Sequence, residues 1–225
     1  MQRAWLDAPG ARYLADAHIR RHERRNALHT LQGLRELARH AEKQPELFAA
    51  STGVPLAKVG EIMKRIGDSL IRAQLVGKLL AASERGVELR LSPESCLPNC
   101  LEVSGEVATV LGNLIDNAMD AVTKTGRTGP WVEVALHQER GVVELRVTDN
   151  GPGVAPHLRQ WIFVRGASTK RPSPGQPQGI GLALVLTISG ERGGSVAVTD
   201  REGGGAVFIV RMKAVAKRLR ASAGA

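Results

Sequence analysis

The stretch Asn-Leu-Ile-Asp-Asn-Ala-Met-Asp-Ala, at positions 113–121, decides how the rest of the chain is interpreted. It lies in a segment from Ser104 to Lys124 in which apolar residues recur every three or four positions, as on the buried side of an amphipathic helix. The opposite face carries four polar side chains at i, i+3, i+4 and i+7: Asn113, Asp116, Asn117 and Asp120. Asn is unfavourable inside helices because its amide competes for backbone hydrogen bonds. Two on one face therefore suggest a ligand such as phosphate-bound Mg²⁺, and a solvated polar face is the alternative.

Two glycine-containing segments follow downstream. Thr-Asp-Asn-Gly-Pro-Gly-Val, at 148–154, comes at the end of a strand pattern. Its carboxylate, Asp149, could accept a hydrogen bond from the amino group of adenine, where guanine presents a carbonyl; an ordinary Asn-Gly turn is the alternative. Gln-Gly-Ile-Gly-Leu, at 178–182, opens a predicted helix, where exposed main-chain amides can bind an anion.

Taken in this order, the three segments strongly resemble the N, G1 and G2 boxes in the ATP-binding domain of sensor histidine kinases. The resemblance covers roughly residues 87–212. It implies an α/β sandwich of the histidine kinase and gyrase type that binds ATP and magnesium. Hydrolysing relatives on this fold carry a catalytic Glu where this sequence has Asn113, so the resemblance favours transfer of phosphate to a side chain.

The resemblance also implies roles for individual residues. Asn117 is the expected magnesium ligand, Asn113 a polar partner of the phosphates and Asp149 the adenine-binding residue. The expected ATP site also includes the following residues: Gly151, Gly153, Gly179, Ile180, Gly181 and Leu182. The segment between the second and third boxes is similar to the family's mobile ATP lid, with an apolar anchor at 161–166. In it Lys170 could reach a phosphate, although a solvated surface lysine is equally consistent with the sequence.

Alternating apolar runs around these boxes predict strands. They lie at 87–91, 131–137, 142–147, 195–199 and 206–212, with a helix at 180–192. Arg140-Gly141 is typical of a hairpin turn. The order of elements predicts a mainly antiparallel sheet covered by helices on one face. The family usually carries Thr where this sequence has Ala206, which removes one hydroxyl group near the last strand.

The region before Gly86 is predicted to be helical. One amphipathic pattern runs from Ala11 to Glu42, and a second runs from Pro55 to Glu84 with a bend at Gly67. Two such helices form an antiparallel hairpin, which buries only one side of each helix. A dimeric four-helix bundle is therefore expected, as a homodimer.

The first predicted helix contains a candidate phosphoacceptor, His22, followed by Glu23 and Asn26. This segment resembles the H box of the kinases that sense citrate and four-carbon dicarboxylates, with Arg24 where the family usually has Phe. Neutral imidazole is a nucleophile at physiological pH, Glu23 could accept its proton, and Asn26 lies one turn further along. The resemblance implies a kinase that phosphorylates His22 and passes the phosphoryl group to an Asp of a response regulator receiver domain.

The predicted architecture is thus α+β in three parts. Residues 1–85 form the dimerising phosphotransfer hairpin, residues 86–216 the ATP-binding domain and residues 217–225 a basic tail. Two alternatives stay open: a nucleotide-binding interaction protein that transfers no phosphate, and an anti-sigma-type serine kinase on the same fold.

Composition narrows the class of protein. A net charge of +9 over 225 residues is compatible with nucleic-acid binding. Only 3% of residues are aromatic, however, and the basic residues are scattered, so DNA binding is not expected. The sequence has no apolar run of the roughly 18–20 residues that a membrane span needs and no leader pattern, which predicts a cytoplasmic chain. The signal would come from a sensor region upstream, in a membrane, or from a separate sensor protein.

Overall fold

The computed structural model describes residues 54–98, 102–126, 128–167 and 179–214, together with residues 43 and 46. The first predicted helix and the basic tail lie outside these residues. Four of the predicted site residues lie outside them as well: His22, Glu23, Asn26 and Lys170.

The described part of the chain is built on a five-stranded sheet. Its strands are β1 (Glu88–Leu91), β2 (Trp131–Glu139), β3 (Val142–Asp149), β4 (Ser195–Asp200) and β5 (Ala206–Lys213). The strand order is β1-β2-β3-β5-β4, with β1 parallel to β2 and the other neighbours antiparallel. The turn between β2 and β3 has positive φ at Arg140 (49°) and Gly141 (76°), the backbone that a two-residue hairpin requires. The predicted sheet and hairpin are confirmed.

Helices cover one face of this sheet. The described helices of eight or more residues are α1 (Leu56–Arg65), α2 (Ser69–Glu84), α3 (Ser104–Thr123) and α4 (Gly181–Glu191). The apolar side of α3 lies against β2 and β3, and α2 and α4 pack against α3. Because α3 is the central helix of this layer, the polar face that the sequence assigns to it lies between its two neighbours.

The helical pattern from Pro55 to Glu84, with its predicted bend at Gly67, forms two helices separated by a short extended segment. The chain is extended at Ile66, which is fully buried and forms a bridge with Leu97. A new helix begins after Asp68, whose carboxylate accepts hydrogen bonds from the Leu70 and Ile71 main-chain nitrogens at 2.9 and 3.2 Å. The apolar period continues across the break, so periodicity alone does not reveal it; the capping carboxylate is the local signal.

The buried core extends across the predicted boundary at residue 85. Buried residues of α2 join the same apolar cluster as those of α3 and the sheet: Ile71, Leu75, Val76 and Leu79. The helix α2 thus packs as part of the sandwich. The division of the chain into three parts and the dimeric hairpin stay predictions, since the first helix lies outside the described residues.

Among the residues that the structure describes, no helix combines the length and the apolar character needed to cross a membrane.

Candidate nucleotide site

One end of the site is a buried carboxylate at the end of β3. The Asp149 side chain is 1% exposed, and its Oδ1 accepts hydrogen bonds from the main-chain nitrogens of Gly151 (2.8 Å) and Ala206 (3.3 Å). No donor among the described residues is bonded to its Oδ2. Burial raises the pKa of Asp149 above its ordinary value, against the lowering effect of these two hydrogen bonds and of the nearby Arg201 guanidinium. The site therefore offers one fixed acceptor oxygen in a dry environment.

A glycine in the β4–β5 loop makes this arrangement possible. A Cβ atom on Gly205 would lie 1.9 Å from the main-chain oxygen of Asp149, and the residue has a φ of 111°. Only glycine fits so close an approach at such a backbone angle. The approach brings the Ala206 nitrogen to Asp149, so residue 206 contributes through its main chain and the departure from the family's Thr leaves this contact in place.

The other end of the site is the polar face of α3. The Nδ2 of Asn113 donates to the Thr109 main-chain oxygen at 2.8 Å, and its Oδ1 lies 2.7 Å from where a Cβ of Gly181 would stand. One turn further along, Asn117 is half-buried, and its buried Nδ2 has no hydrogen-bond partner in the described part of the chain. A buried amide without a partner is unfavourable unless a ligand completes its bonding, so Asn117 fits a ligand-binding position.

The start of α4 offers main-chain donors. Its N-cap, Ile180, makes no side-chain capping bond, and Gly179 before it has a φ of 73°. The main-chain oxygen of Gly179 accepts a hydrogen bond from the Gly166 nitrogen at 3.0 Å, which joins the two flanks of residues 168–178. Leu182 is half-buried against the core. The first amides of α4 are therefore available to an anion beside Asn113.

The predicted apolar anchor of the segment after β3 is also seen. The ring of Phe163 meets the ring of Phe208, on β5, edge to face at a centroid distance of 6.4 Å. This contact holds the chain between Gly153 and Gly166 against the sheet.

The helix α3 connects the three motifs. A Cβ on Gly151 would lie 3.2 Å from the Cβ of Ala121, near the C-terminal end of the helix, while Gly181 lies against Asn113, two turns earlier. Asn117 stands between these two contacts. Eight residues of helix span about 12 Å. The structure thus brings all three motifs to one helix.

The acidic residues of the polar face are engaged on its other side. The Lys78 Nζ lies 2.7 Å from both carboxylate oxygens of Asp116, and Arg85 lies 2.9 Å from Asp120. The face predicted from spacing is therefore divided: Asn113 lies against the start of α4, and the two carboxylates pair with cations at α2 and its C-cap. Lys78 and Arg85 were not identified from the sequence, because their partners lie 38 and 35 positions away along the chain. Among the described residues, no three His, Cys, Asp or Glu side chains are grouped as a metal site.

Comparison with known proteins identifies relatives of this chain. Residues 102–216 match the family described as histidine kinase-, DNA gyrase B-, and HSP90-like ATPase. The chain is 31% identical over 191 residues to the sensor protein CitS of Halalkalibacterium halodurans and 33% identical over 195 residues to the sensor histidine kinase DcuS of Escherichia coli (strain K12). The matches cover 84% and 86% of this chain but 35% of each relative, so the chain spans about a third of their length.

Solved structures of two other proteins resemble the fold. Full-length ShkA in complex with AMPPNP is 29% identical with a TM-score of 0.54, over 65% of this chain and 29% of that one. The catalytic domain of the histidine kinase ThkA has a TM-score of 0.52 at 22% identity, over 69% of this chain and 92% of that one, which supports the fold alone.

Proposed function

Because this chain belongs to the family of histidine kinase-, DNA gyrase B- and HSP90-like ATPases, we propose that it is the catalytic part of a sensor histidine kinase. The observation that carries the proposal is the position of α3, which contacts Gly151 at one end and Gly181 at the other, with the unpartnered amide of Asn117 between them. The resemblance to CitS and DcuS extends well before residue 102, since each match covers more than four fifths of the chain.

In this proposal ATP lies along α3. The free Oδ2 of Asp149 accepts a hydrogen bond from the adenine amino group, with Gly151 and Gly153 forming the turn beside it. The main-chain amides at Gly179, Ile180, Gly181 and Leu182 bind the phosphates, with Asn113 beside them and Lys170 as a further cation. Asn117 would hold Mg²⁺ through its carboxamide oxygen; Mg²⁺ takes few protein ligands and keeps phosphate and water oxygens, and it neutralises phosphate charge.

The acceptor in this proposal is His22. A ring nitrogen of His22 attacks the γ-phosphorus, the bond to the β,γ-bridging oxygen breaks, and ADP leaves with that electron pair. Glu23 accepts the proton that the other ring nitrogen gives up, so the phosphorylated ring is neutral. The phosphoryl group then passes to an Asp of a response regulator, and the phosphohistidine bond is broken.

Transfer is favoured over hydrolysis by the identity of residue 113. A carboxamide has no basic site that could take a proton from water at neutral pH. The Nδ2 of Asn113 is moreover bonded to the Thr109 main-chain oxygen at 2.8 Å, so the group is held in place as a hydrogen-bonding partner and not as a base.

The remaining parts of the proposal concern assembly and location. Residues 1–85 form the homodimeric hairpin that carries His22, and its two described helices, α1 and α2, share the apolar core of the ATP-binding sandwich. The chain acts in the cytoplasm and receives its signal from a sensor region upstream or from a separate protein.

The test is autophosphorylation of the purified chain with radiolabelled ATP and Mg²⁺. We expect label that is lost in acid and stable in base, as phosphohistidine is. His22→Gln should abolish labelling and leave ATP affinity unchanged, and His29→Gln, a matched change on the same predicted helix, should retain the label. Acid-stable label would favour a serine kinase. ATP binding without any labelling would favour an interaction protein, and full labelling of His22→Gln would exclude this acceptor.

A second measurement separates two activities of the predicted first helix. Asn26→Ala should slow dephosphorylation of the response regulator more than it slows labelling of the kinase, because the carboxamide one turn from His22 can align a water. Equal loss of both rates in an intact dimer would show that Asn26 supports phosphorylation itself.

A further inference from the structure

We propose that Lys78 is a positioning residue of the nucleotide site: its ammonium group neutralises Asp116, so that α3 presents Asn113 and Asn117 to phosphate without an opposing charge beside them. This inference rests on the proposed ATP-binding function. It assigns to α2 a role in nucleotide binding, although none of the three motifs lies on that helix.

The contact between Lys78 and Asp116 is close and symmetric. The Nζ atom lies 2.7 Å from each carboxylate oxygen, a distance typical of charge-assisted hydrogen bonds. The Lys78 side chain is 17% exposed, whereas that of Asp116 is 47% exposed. The ammonium group is thus largely removed from water and committed to one carboxylate.

A glycine on α3 lets α2 approach closely one turn before Lys78. A Cβ on Gly112 would lie 2.1 Å from Nε2 of the buried Gln74 and 3.7 Å from Cε of Lys78. The two helices therefore approach closely at Gly112, and the aliphatic part of the Lys78 side chain lies along α3. Packing fixes the stem of the side chain, and the ion pair fixes its charged end.

The location of Asp116 makes its charge important for a polyanionic ligand. It precedes Asn117 directly and lies one turn after Asn113. The Nδ2 of Asn117, which has no partner among the described residues, is on the same helix within this turn, and Gly181 at the start of α4 lies against Asn113. Without its ammonium partner, the Asp116 carboxylate would repel the phosphates of a bound nucleotide. At so short a separation, protein and solvent screen this repulsion only partly.

The neighbouring ion pair provides a graded comparison. Arg85 pairs with Asp120 one turn further along α3, further from Asn113, and its side chain is 43% exposed against 17% for Lys78, so water already screens the Arg85 charge more than it screens the Lys78 charge. Neutralising Arg85 should therefore have a smaller effect on nucleotide affinity than neutralising Lys78.

The experiment is calorimetric titration of the full chain with Mg²⁺·ATP. Lys78→Met removes the charge but keeps the stem that packs beside Gly112, and we expect it to raise Kd about 3- to 10-fold at low salt and less at high salt. Asp116→Asn alone should not weaken binding, and Lys78→Met with Asp116→Asn should restore Kd to within about 2-fold of the unmodified chain. Lys78→Arg should also bind normally. The matched control is Lys58→Met, since Lys58 pairs with Glu88 on β1 at 3.5 Å, away from α3.

The outcomes distinguish this inference from the proposed function. If Lys78→Met binds as well as the unmodified chain, Lys78 has no such role. If it binds poorly and Asp116→Asn does not restore affinity, the defect lies in helix packing and the charge argument is wrong. If Lys78→Met does not fold, Lys78→Gln takes its place: it also removes the charge and keeps Asp116, and normal affinity of this variant would overturn the inference. If the unmodified chain binds no Mg²⁺·ATP, the proposed function is wrong, and this inference, which depends on it, is wrong as well.

Discussion

The two ends of the proposed ATP site differ in how their polar side chains are bonded. At the adenine end, Asp149 is fixed by main-chain nitrogens of Gly151 and Ala206 and is 1% exposed. At the phosphate end, Asn117 is half-buried, and its Nδ2 is without a hydrogen-bond partner among the described residues. In the proposed site, the acceptor for the base is thus fixed by the folded backbone, whereas the proposed metal ligand is a side chain whose bonding a ligand would complete.

This difference indicates where a substitution will act. A change at the adenine end disturbs the junction of β3, β5 and the loop before β5, so it should affect both folding and binding. A change of Asn117 at the phosphate end removes an amide nitrogen that makes no hydrogen bond within the described structure, so it should affect binding alone. The following predictions test this division, from the largest expected effect to the smallest.

The largest effect is expected for Gly205→Ala. A Cβ there would lie 1.9 Å from the main-chain oxygen of Asp149, at a φ of 111°. Backbone strain of about 1–2 kcal/mol and the displacement of β3 or the loop should together lower the free energy of unfolding by roughly 3 kcal/mol or more. Denaturant unfolding measures this loss, and ATP binding should disappear with it.

The matched control for this change is Gly203→Ala in the same loop. Gly203 also has a positive φ, of 82°, but a Cβ there would meet only the tip of the Arg201 guanidinium at 3.6 Å. Its expected loss is about 1 kcal/mol, from backbone strain alone. Equal losses for the two variants would contradict the importance of the close approach at Gly205.

The next effect is expected for Asp149→Asn. The Asn side-chain oxygen can accept both main-chain hydrogen bonds in place of Oδ1. The NH₂ group of Asn then stands in place of Oδ2, facing the adenine amino group of the proposed site. Two donors then face each other, so ATP affinity should fall roughly 10- to 100-fold and the preference for ATP over GTP should be lost. The variant should remain folded at neutral pH, because a buried charge has been removed. Titration with ATP and with GTP measures both the affinity and the selectivity. Undiminished selectivity would show that another group recognises the base.

A smaller effect is expected for Asn117→Ala. The variant should lose the Mg²⁺-dependent part of ATP affinity, by about 10-fold, because one metal ligand is missing. Its free energy of unfolding should rise by about 0.5 kcal/mol, because Ala is the better helix former and the Asn117 Nδ2 makes no hydrogen bond that the substitution would remove. The measurement is titration with and without Mg²⁺, beside thermal unfolding. Destabilisation by more than about 1 kcal/mol would mean that Asn117 has a structural role and would remove the contrast between the two ends.

The smallest effect is a pH dependence of stability that comes from Asp149. Burial raises the pKa of this carboxyl above its ordinary value of 3.8. A carboxyl that binds its proton more tightly in the folded state stabilises the fold at low pH, and this contribution is lost as the pH rises through the folded-state pKa. The Asp149→Asn variant does not titrate at this position. Its stability advantage over the unmodified chain should therefore be greatest near pH 7 and shrink as the pH falls toward 4. A difference that does not change with pH would contradict the charged state of Asp149.

The sequence predicted the sandwich well because its elements are strongly periodic. The helix α3 was expected at 104–124 and is found at Ser104–Thr123, since an apolar stripe of this length leaves little ambiguity. The strands β2 and β3 extend two residues beyond their predicted ends. These three elements are amphipathic, so the pattern of apolar residues in each one predicts which of its side chains are buried.

The features that the sequence did not reveal depend on partners distant in the chain. The break at Ile66 is set by pairing with Leu97, across an apolar pattern that continues without interruption. The ion pair between Lys78 and Asp116 joins residues 38 positions apart, and spacing within one helix cannot specify it. The contribution of Ala206 is made by a main-chain nitrogen, which every residue except proline carries. Local patterns do not contain this information.

The hydrogen bond between Gly166 and Gly179 has a consequence for how this part of the chain can vary. The Gly166 nitrogen and the Gly179 oxygen, on the two flanks of residues 168–178, lie 3.0 Å apart, so the described chain ends on either side of this segment are already close together. The entropy of closing a loop whose ends already meet grows only with the logarithm of its length. Insertions and deletions there should leave the sheet and α4 undisturbed. The segment is in this sense a replaceable cassette, which evolution or an engineer can lengthen, shorten or exchange while the rest of the fold is kept.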